Sequence, residues 1–142
     1  KAYSIDDLSL NVNGSIWDGV RNYQARNFLR DGMKSGDLVI IYYSSIKEPC
    51  AVGIGQVAGE SLPDTTQFDK ESEYYDPTSA KDNPRWMTRR IKFIKKFKNF
   101  VTISEMRKNP KLKDMTLLKR GVRLSVQPVQ LREFETIIKM AS

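Results

Sequence analysis

Residues 15–45 read SIWDGVRNYQARNFLRDGMKSGDLVIIYYSS, and this stretch decides the fold. Asn22 is placed to cap a helix over Tyr23–Met33, because Ala25, Phe28, Leu29 and Met33 recur at helical spacing and form one apolar stripe. The KSGD that follows stops the helix, with Gly36 free to take the left-handed conformation. Leu38–Tyr43 is then a short run rich in β-branched and aromatic residues, which predicts a buried strand. Ahead of the helix, Trp17, Arg21, Asn22, Tyr23 and Arg26 crowd aromatic, guanidinium and amide groups into ten residues. A plain core helix has no use for that mixture, whereas a pocket for a planar, polar, partly anionic ligand does.

Working outward, YSIDDL predicts a short helix start, with Ser4 able to cap and Asp7 three residues on. NVNG turns the chain, and the NGS at Asn13 reads as a tight turn rather than a glycosylation acceptor. Ala51–Ala58 is a second strand. Its Gly53 and Gly55 lie on one face and leave a bare strip of backbone, which implies a bend or a close neighbour. Residues 59–84 form a long acidic loop, and Arg85–Phe97 a third strand with Met87, Ile91, Phe93 and Phe97 on one face. TISE at Thr102 is a capping box that opens a short helix ended by Pro110. VRLSV (122–126) is a fourth strand, and Leu131, Phe134, Ile137 and Ile138 mark a final amphipathic helix. Strands and helices do not alternate as in a parallel doubly wound sheet, so the expected class is α+β with a curled, mostly antiparallel sheet.

The totals narrow the function. The 142 residues suit one core, and 39% hydrophobic with 29% charged residues predicts a folded chain. The longest apolar run, Leu38–Tyr43, is strand-sized, and no signal peptide opens the sequence, so no membrane partner is expected. One cysteine, Cys50, permits no intrachain disulfide and no zinc site built from several Cys ligands, which fits a reducing intracellular setting. There is no histidine, which removes Ser-His-Asp and Cys-His catalysis and HExxH metal sites. A Lys or carboxylate base stays open, so a nucleotide-acting enzyme using Asp18 or a lysine is a lesser alternative. The acidic loop, with Asp69, Glu71, Glu73 and Asp76, matches no calcium loop and reads as a cover; no metal and no cofactor are expected.

The net charge is +7, but Arg85–Arg120 holds 13 Lys and Arg against Glu105 and Asp114, a net of +11 on a body of −4. Such a segment is either a polyanion contact or a solvated basic face. Within it, RWMTRRIKFIKKFK interleaves basic and aromatic residues. Arg26, Arg85, Arg89, Arg90, Lys92 and Lys96 are the candidate phosphate ligands. Trp17 offers a flat face for stacking a base, or alternatively a structural indole in the core. Gly19 lets backbone approach a ligand, and the N–H groups of Val20 to Tyr23 can donate to an acceptor. Tyr42 and Tyr43 point to opposite faces; one belongs to the core and the other, taken as Tyr43, lines a pocket with Ser44.

The segment WDGVRNYQARNFLRDGMKSGD, with YYSS (42–45), GIGQV (53–57), YYDP (74–77) and RLSVQPV (123–129), resembles the EVE domain family, a branch of the PUA-like superfamily. The resemblance runs from Tyr3 to the last helix. It implies a PUA-like curled antiparallel sheet or barrel flanked by short helices, and a single domain over residues 1–142. It also implies a non-enzymatic module whose aromatic-lined pocket takes one base, with modified cytosine in DNA the leading ligand and RNA binding the alternative; a monomer is expected. On that pattern Trp17, Gly19, Val20, Arg21, Asn22, Tyr23, Tyr43, Ser44, Arg123 and Ser125 line the base pocket. The expected location is the cytoplasm in a bacterium or the nucleus in a eukaryote. Two departures stand out. The family's opening Trp-Leu-x-Lys-x-Glu-Pro strand is missing apart from KAYS at its trailing edge, so that first strand is expected to be lacking. Tyr42-Tyr43-Ser44 stands where many relatives have Tyr-His-Ser, which replaces imidazole by phenol and can alter base preference.

Overall fold

A computed structural model describes residues 5–10, 14–16, 19–44, 46–119 and 126–142. The expectations for Ser4, the turn at 11–13, Trp17, Asp18, Arg123, Ser125 and most of the strand at 122–126 lie outside those residues. In chain order the elements are α1 (Ile5–Ser9), β1 (Ser15–Ile16), α2 (Tyr23–Asn27) continued by a π-helical turn (Phe28–Gly32), β2 (Leu38–Tyr43), β3 (Cys50–Pro63), a 3-10 turn (Thr65–Phe68), β4 (Met87–Thr102), α3 (Ile103–Lys108), 3-10 turns at Pro110–Leu112 and Thr116–Leu118, and α4 (Leu131–Met140).

The four strands form one antiparallel sheet in the order β1-β4-β3-β2. Among the described residues it has two edges and does not close into a barrel, so of the expected sheet or barrel it takes the open, mostly antiparallel sheet form. β3 and β4 are longer than their sequence patterns suggest, and their register slips at Ala51/Gly53, at Ile54/Gly55 and between Ala58 and Leu62. Each slip inserts unpaired residues, bends the strand and adds twist, so a two-strand ribbon of this length curls.

Side-chain alternation on β2 distributes the core. Ile40 and Tyr42 pack with Ala51, Ile54, Phe97, Val101, Met106, Leu112 and Ile137, a cluster that docks α3 and α4. Ile41 and Tyr43 face the other way, onto Ile5 and Leu8 of α1, with Cys50 and Val52. α1 can lie this close because Gly53 has no side chain: a Cβ there would run into Ile5 Cδ1 and the Lys95 carbonyl oxygen. The Gly53 half of the bare strip read from the sequence is thus the bed of a helix, while at Gly55 the close neighbours are Ile91, Lys92 and Val39 of the sheet. A third cluster of Val20, Ala25 and Leu29 seats α2.

Side chains close several of the helix ends. Asn22 accepts from the Ala25 N–H as the α2 N-cap. Thr102 and Glu105 exchange both bonds of a capping box on α3, worth roughly 0.5–2 kcal/mol. Arg89 holds the C-terminal end of the α2–π segment. Its guanidinium donates to the carbonyls of Leu29 (2.6 Å), Arg30 (3.2 Å), Met33 (2.6 Å) and Gly59 (3.0 Å). The residue is only 6% exposed.

Candidate nucleic-acid interface

The motif from Gly19 to Tyr23 is built against the acidic loop. The Gly19 N–H donates to Asp64 Oδ2 at 2.7 Å. Gly19 itself sits at φ +84, and a Cβ there would fall 2.7 Å from the Tyr74 ring. Both facts demand glycine. Arg21 lies between two rings, its Cζ 5.4 Å from the centroids of Tyr74 and Trp86. Its five N–H donors are all spent on the protein: Nε on Tyr74 O (3.3 Å), Nη1 on Val20 O and Asp64 Oδ2 (3.0 Å each), and Nη2 on Thr66 Oγ1 (3.0 Å) and Tyr74 O (2.8 Å).

The stack continues outward. Tyr23 lies on Trp86 with centroids 4.9 Å apart and planes at 24°, and the Arg26 guanidinium sits 5.0 Å from the Tyr23 centroid. Rings and guanidinia therefore succeed one another as Arg26, Tyr23, Trp86, Arg21 and Tyr74. Stacked rings contribute about 0.5–1.5 kcal/mol beyond area burial, and exposed cation–π contacts about 0.5–1 kcal/mol. Arg85 Nη1 donates to the Tyr23 hydroxyl (3.1 Å), and Arg26 Nη1 to the Arg85 carbonyl (2.8 Å).

Two carboxylates and one amide fasten this stack to the sheet. Asp64 is 1% exposed. Burial pushes its carboxyl up, but bonds from the Thr66 hydroxyl, the Gly19 N–H, Arg21 and the Thr66 N–H together hold it below its ordinary range. Asp76 accepts from the Trp86 indole N–H at 2.8 Å. The Thr78 hydroxyl, that indole and the Thr78 N–H bring its pKa down from 3.8 to about 2. Gln67, fully buried, donates to the carbonyls of Asp64 (2.6 Å) and Trp86 (2.8 Å) and accepts from Ser79 Oγ (2.6 Å) and the Trp86 N–H (3.1 Å).

The structure brings Gly19, Arg21 and Tyr23 together, but assigns several candidates other work. Val20 is core. Asn22 Oδ1 is committed to its cap. Arg21 has no donor left for a phosphate. Tyr43 pairs with Cys50, at the opposite end of β3 from Asp64; its hydroxyl accepts the Ile5 N–H, and exposed Ser44 follows it. Arg89 is corrected outright as a phosphate ligand, because it is buried and bonded to four carbonyls. Lys96 pairs with Asp6 at 3.0 Å, and Lys92 is exposed while Arg90 is half-buried.

Sequence reasoning passed over Asp64, Gln67, Tyr74 and Trp86 as members of the site. The signal for Tyr74 and Trp86 was present in EYYDP and RWM; nothing local marks Asp64 or Gln67. A cavity of about 500 Å³ lies elsewhere, between Leu29, Met33, the start of β2 and the segment from Val126 to Phe134, and no candidate pocket residue lines it. Among the described residues no group of three or more acidic or cysteine side chains is arranged to hold a metal ion, and no helix is long and apolar enough to cross a membrane.

An open antiparallel sheet among the described residues, with short helices and the Gly19–Arg21 segment held against an aromatic stack, places the chain among PUA-like domains. A family model described as the EVE domain matches residues 1–140, and the chain belongs to that family. It is 40% identical to human thymocyte nuclear protein 1 over 147 residues, covering 97% of this chain and 64% of that protein. The chain thus spans less than two thirds of that relative. The crystal structure of the human protein in complex with DNA containing 5-methylcytosine superposes with a TM-score of 0.89 at 39% identity, covering 98% of this chain and 85% of the other. A Pseudomonas syringae protein superposes with a TM-score of 0.92 at 37% identity, covering 99% and 93%.

Proposed function

We propose that this EVE domain is a non-enzymatic DNA-binding module that reads a modified base, a cytosine, flipped from the duplex into a pocket at Trp17 and the turn from Gly19 to Tyr23. The observation that carries this reading is the complex of human thymocyte nuclear protein 1 with DNA containing 5-methylcytosine, a protein 39% identical over 98% of this chain. The rigidity of the turn supports it. Flipping a base costs a few kcal/mol, and stacking on an aromatic face returns about 1–3 kcal/mol only where the face is held still. Here the Asp64 carboxylate and the Tyr74 ring fix Gly19, two residues from Trp17. Arg21 and Tyr23 act as wall rather than as donors to the ligand. Reading of the base edge falls to backbone groups and the Asn22 amide NH2. Tyr43, Ser44, Arg123 and Ser125 enter as further lining on the family resemblance alone. Arg85, exposed beside Tyr23, and half-buried Arg26, together with Arg90 and Lys92, hold nearby phosphates.

The test is a titration of matched duplexes, with and without 5-methylcytosine, at one salt concentration. The native protein is expected to prefer the modified duplex, and Trp17→Ala to lose that preference with its affinity for unmodified DNA retained. Equal binding of both duplexes by the native protein removes the reading. An RNA of the same sequence, bound more tightly than either duplex, would move the ligand to RNA.

A further inference from the structure

We propose that a second basic surface, running from the distal half of β4 onto α3 and the 3-10 turn after it, seats the phosphodiester backbone of the DNA that flanks the read base. The inference rests on the DNA-binding reading above but concerns residues outside its pocket. It begins from what the structure removes. Arg89 is spent on four carbonyls, Arg21 makes five bonds to four acceptors, and Lys96 is paired with Asp6. Arg26 and Arg85 are tied to each other and to Tyr23. These cations thus serve the protein first.

The opposite holds farther along the chain. β4 carries six basic residues and no acidic one in its 16 residues. Lys95 and Lys98 are exposed there. Beyond Thr102, Arg107 and Lys108 stand exposed after buried Met106, and Lys111 and Lys113 stand exposed on either side of buried Leu112. Met106 and Leu112 anchor the segment in the main core, which turns these four cations outward. Asn109, accepting from the Lys111 N–H at 3.0 Å, and Pro110 fix the turn between them.

The ion pairs among the described residues join Arg21 to Asp64, Arg30 to Asp31 and Lys96 to Asp6, so none involves Lys95, Lys98, Arg107, Lys108, Lys111 or Lys113. Of the two acids in the region, Glu105 is turned onto its own helix start as the capping-box partner of Thr102, and Asp114 is exposed. Exposed, unpaired groups of like charge repel one another and are relieved by a polyanion. Phe100, 42% exposed with the Lys96 ammonium 5.8 Å from its ring, and Ile94, 47% exposed, add apolar area that suits sugar and base edges.

The experiment measures affinity for a 5-methylcytosine duplex and its unmodified counterpart across a salt series. It compares the native chain, the triple variant Lys108→Gln/Lys111→Gln/Lys113→Gln, and the same three positions changed to Arg. Each phosphate contact contributes about 0.9 to the slope of log affinity against log salt. The Gln variant is expected to lose roughly 2–3 units of slope, with the ratio between modified and unmodified duplex unchanged, and the Arg variant to keep the native slope. An unchanged slope in the Gln variant overturns the proposal, as does an equal loss in the Arg variant. Lys95→Gln/Lys98→Gln, on a different element, is expected to lose a further one to two units, so the test survives if the triple variant folds poorly. A native chain that ignores cytosine modification while the Gln variant still loses slope would sink the base reader and leave this surface standing. Modification preference with no change in slope would do the reverse.

Discussion

Gly19 and Arg89 show how much one residue can carry. Gly19→Ala puts an L side chain at φ +84 and a Cβ against the Tyr74 ring. The left-handed conformation alone costs about 1–2 kcal/mol, and the ring cannot yield without disturbing Arg21. A fall of at least that size is expected in urea denaturation, together with loss of preference for modified DNA. Arg89→Ala strands four carbonyl acceptors at a buried position. Each stranded group costs about 1–3 kcal/mol, so the variant is expected to be unfolded or nearly so by circular dichroism at 37 °C. Arg89→Lys should not restore it, since one ammonium cannot span acceptors on both sides of a planar fork. The chain had signalled this role: Arg89 shares the parity of Met87, Ile91, Phe93 and Phe97, the buried face of β4. A charged residue on a core parity is held by the protein before it is offered to a ligand.

At the scale of elements, the strongest local patterns translated directly. β2 runs from Leu38 to Tyr43 as its β-branched run indicates, Asn22 caps α2, and TISE forms its capping box. These succeed because every interaction that decides them lies within a few residues. The acidic loop was legible only as a cover, because its partners are distant in sequence: Gly19 and Arg21 lie 45 and 43 residues from Asp64. Its attachment has a pH signature. Asp76 has its pKa lowered to about 2 from 3.8, so its contribution to stability is complete above the ordinary value and fades as pH falls through about 2. Acid titration is expected to show the native chain losing its advantage over Asp76→Asn across that window, with the two alike at lower pH and a constant gap above about pH 5. Indole fluorescence reports it through Trp86. On the other side of the sheet, Gly53→Ala should lift α1 from its bed. The expected result is faster proteolysis ahead of Leu10 and a loss of about 1–3 kcal/mol, with the Tyr23–Trp86 stack intact.

For the molecule as a whole, the sheet is a curled ribbon with chemistry divided between its ends. The aromatic stack sits where β4 begins, and the unpaired lysines gather where β4 ends and α3 follows. Charge and fold are thus separable, and the sequence revealed the first as a total without its address: a net of +11 between Arg85 and Arg120 does not say which cations the protein keeps for itself. Affinity for DNA should therefore track salt far more steeply than it tracks cytosine modification. Neutralising surface lysines and truncating Trp17 should act additively, as changes at distant sites do. Gln67 has one more consequence. With both donors and both acceptors satisfied by backbone and Ser79, it splices a strandless segment into the body of the protein. In deuterium uptake the amide of Asp64, which bonds to Trp86 O, and that of Asp76, which bonds to Gln67 O, should be guarded as long as those of the neighbouring strands. The span that looks most like a tether would then open only when the entire domain does.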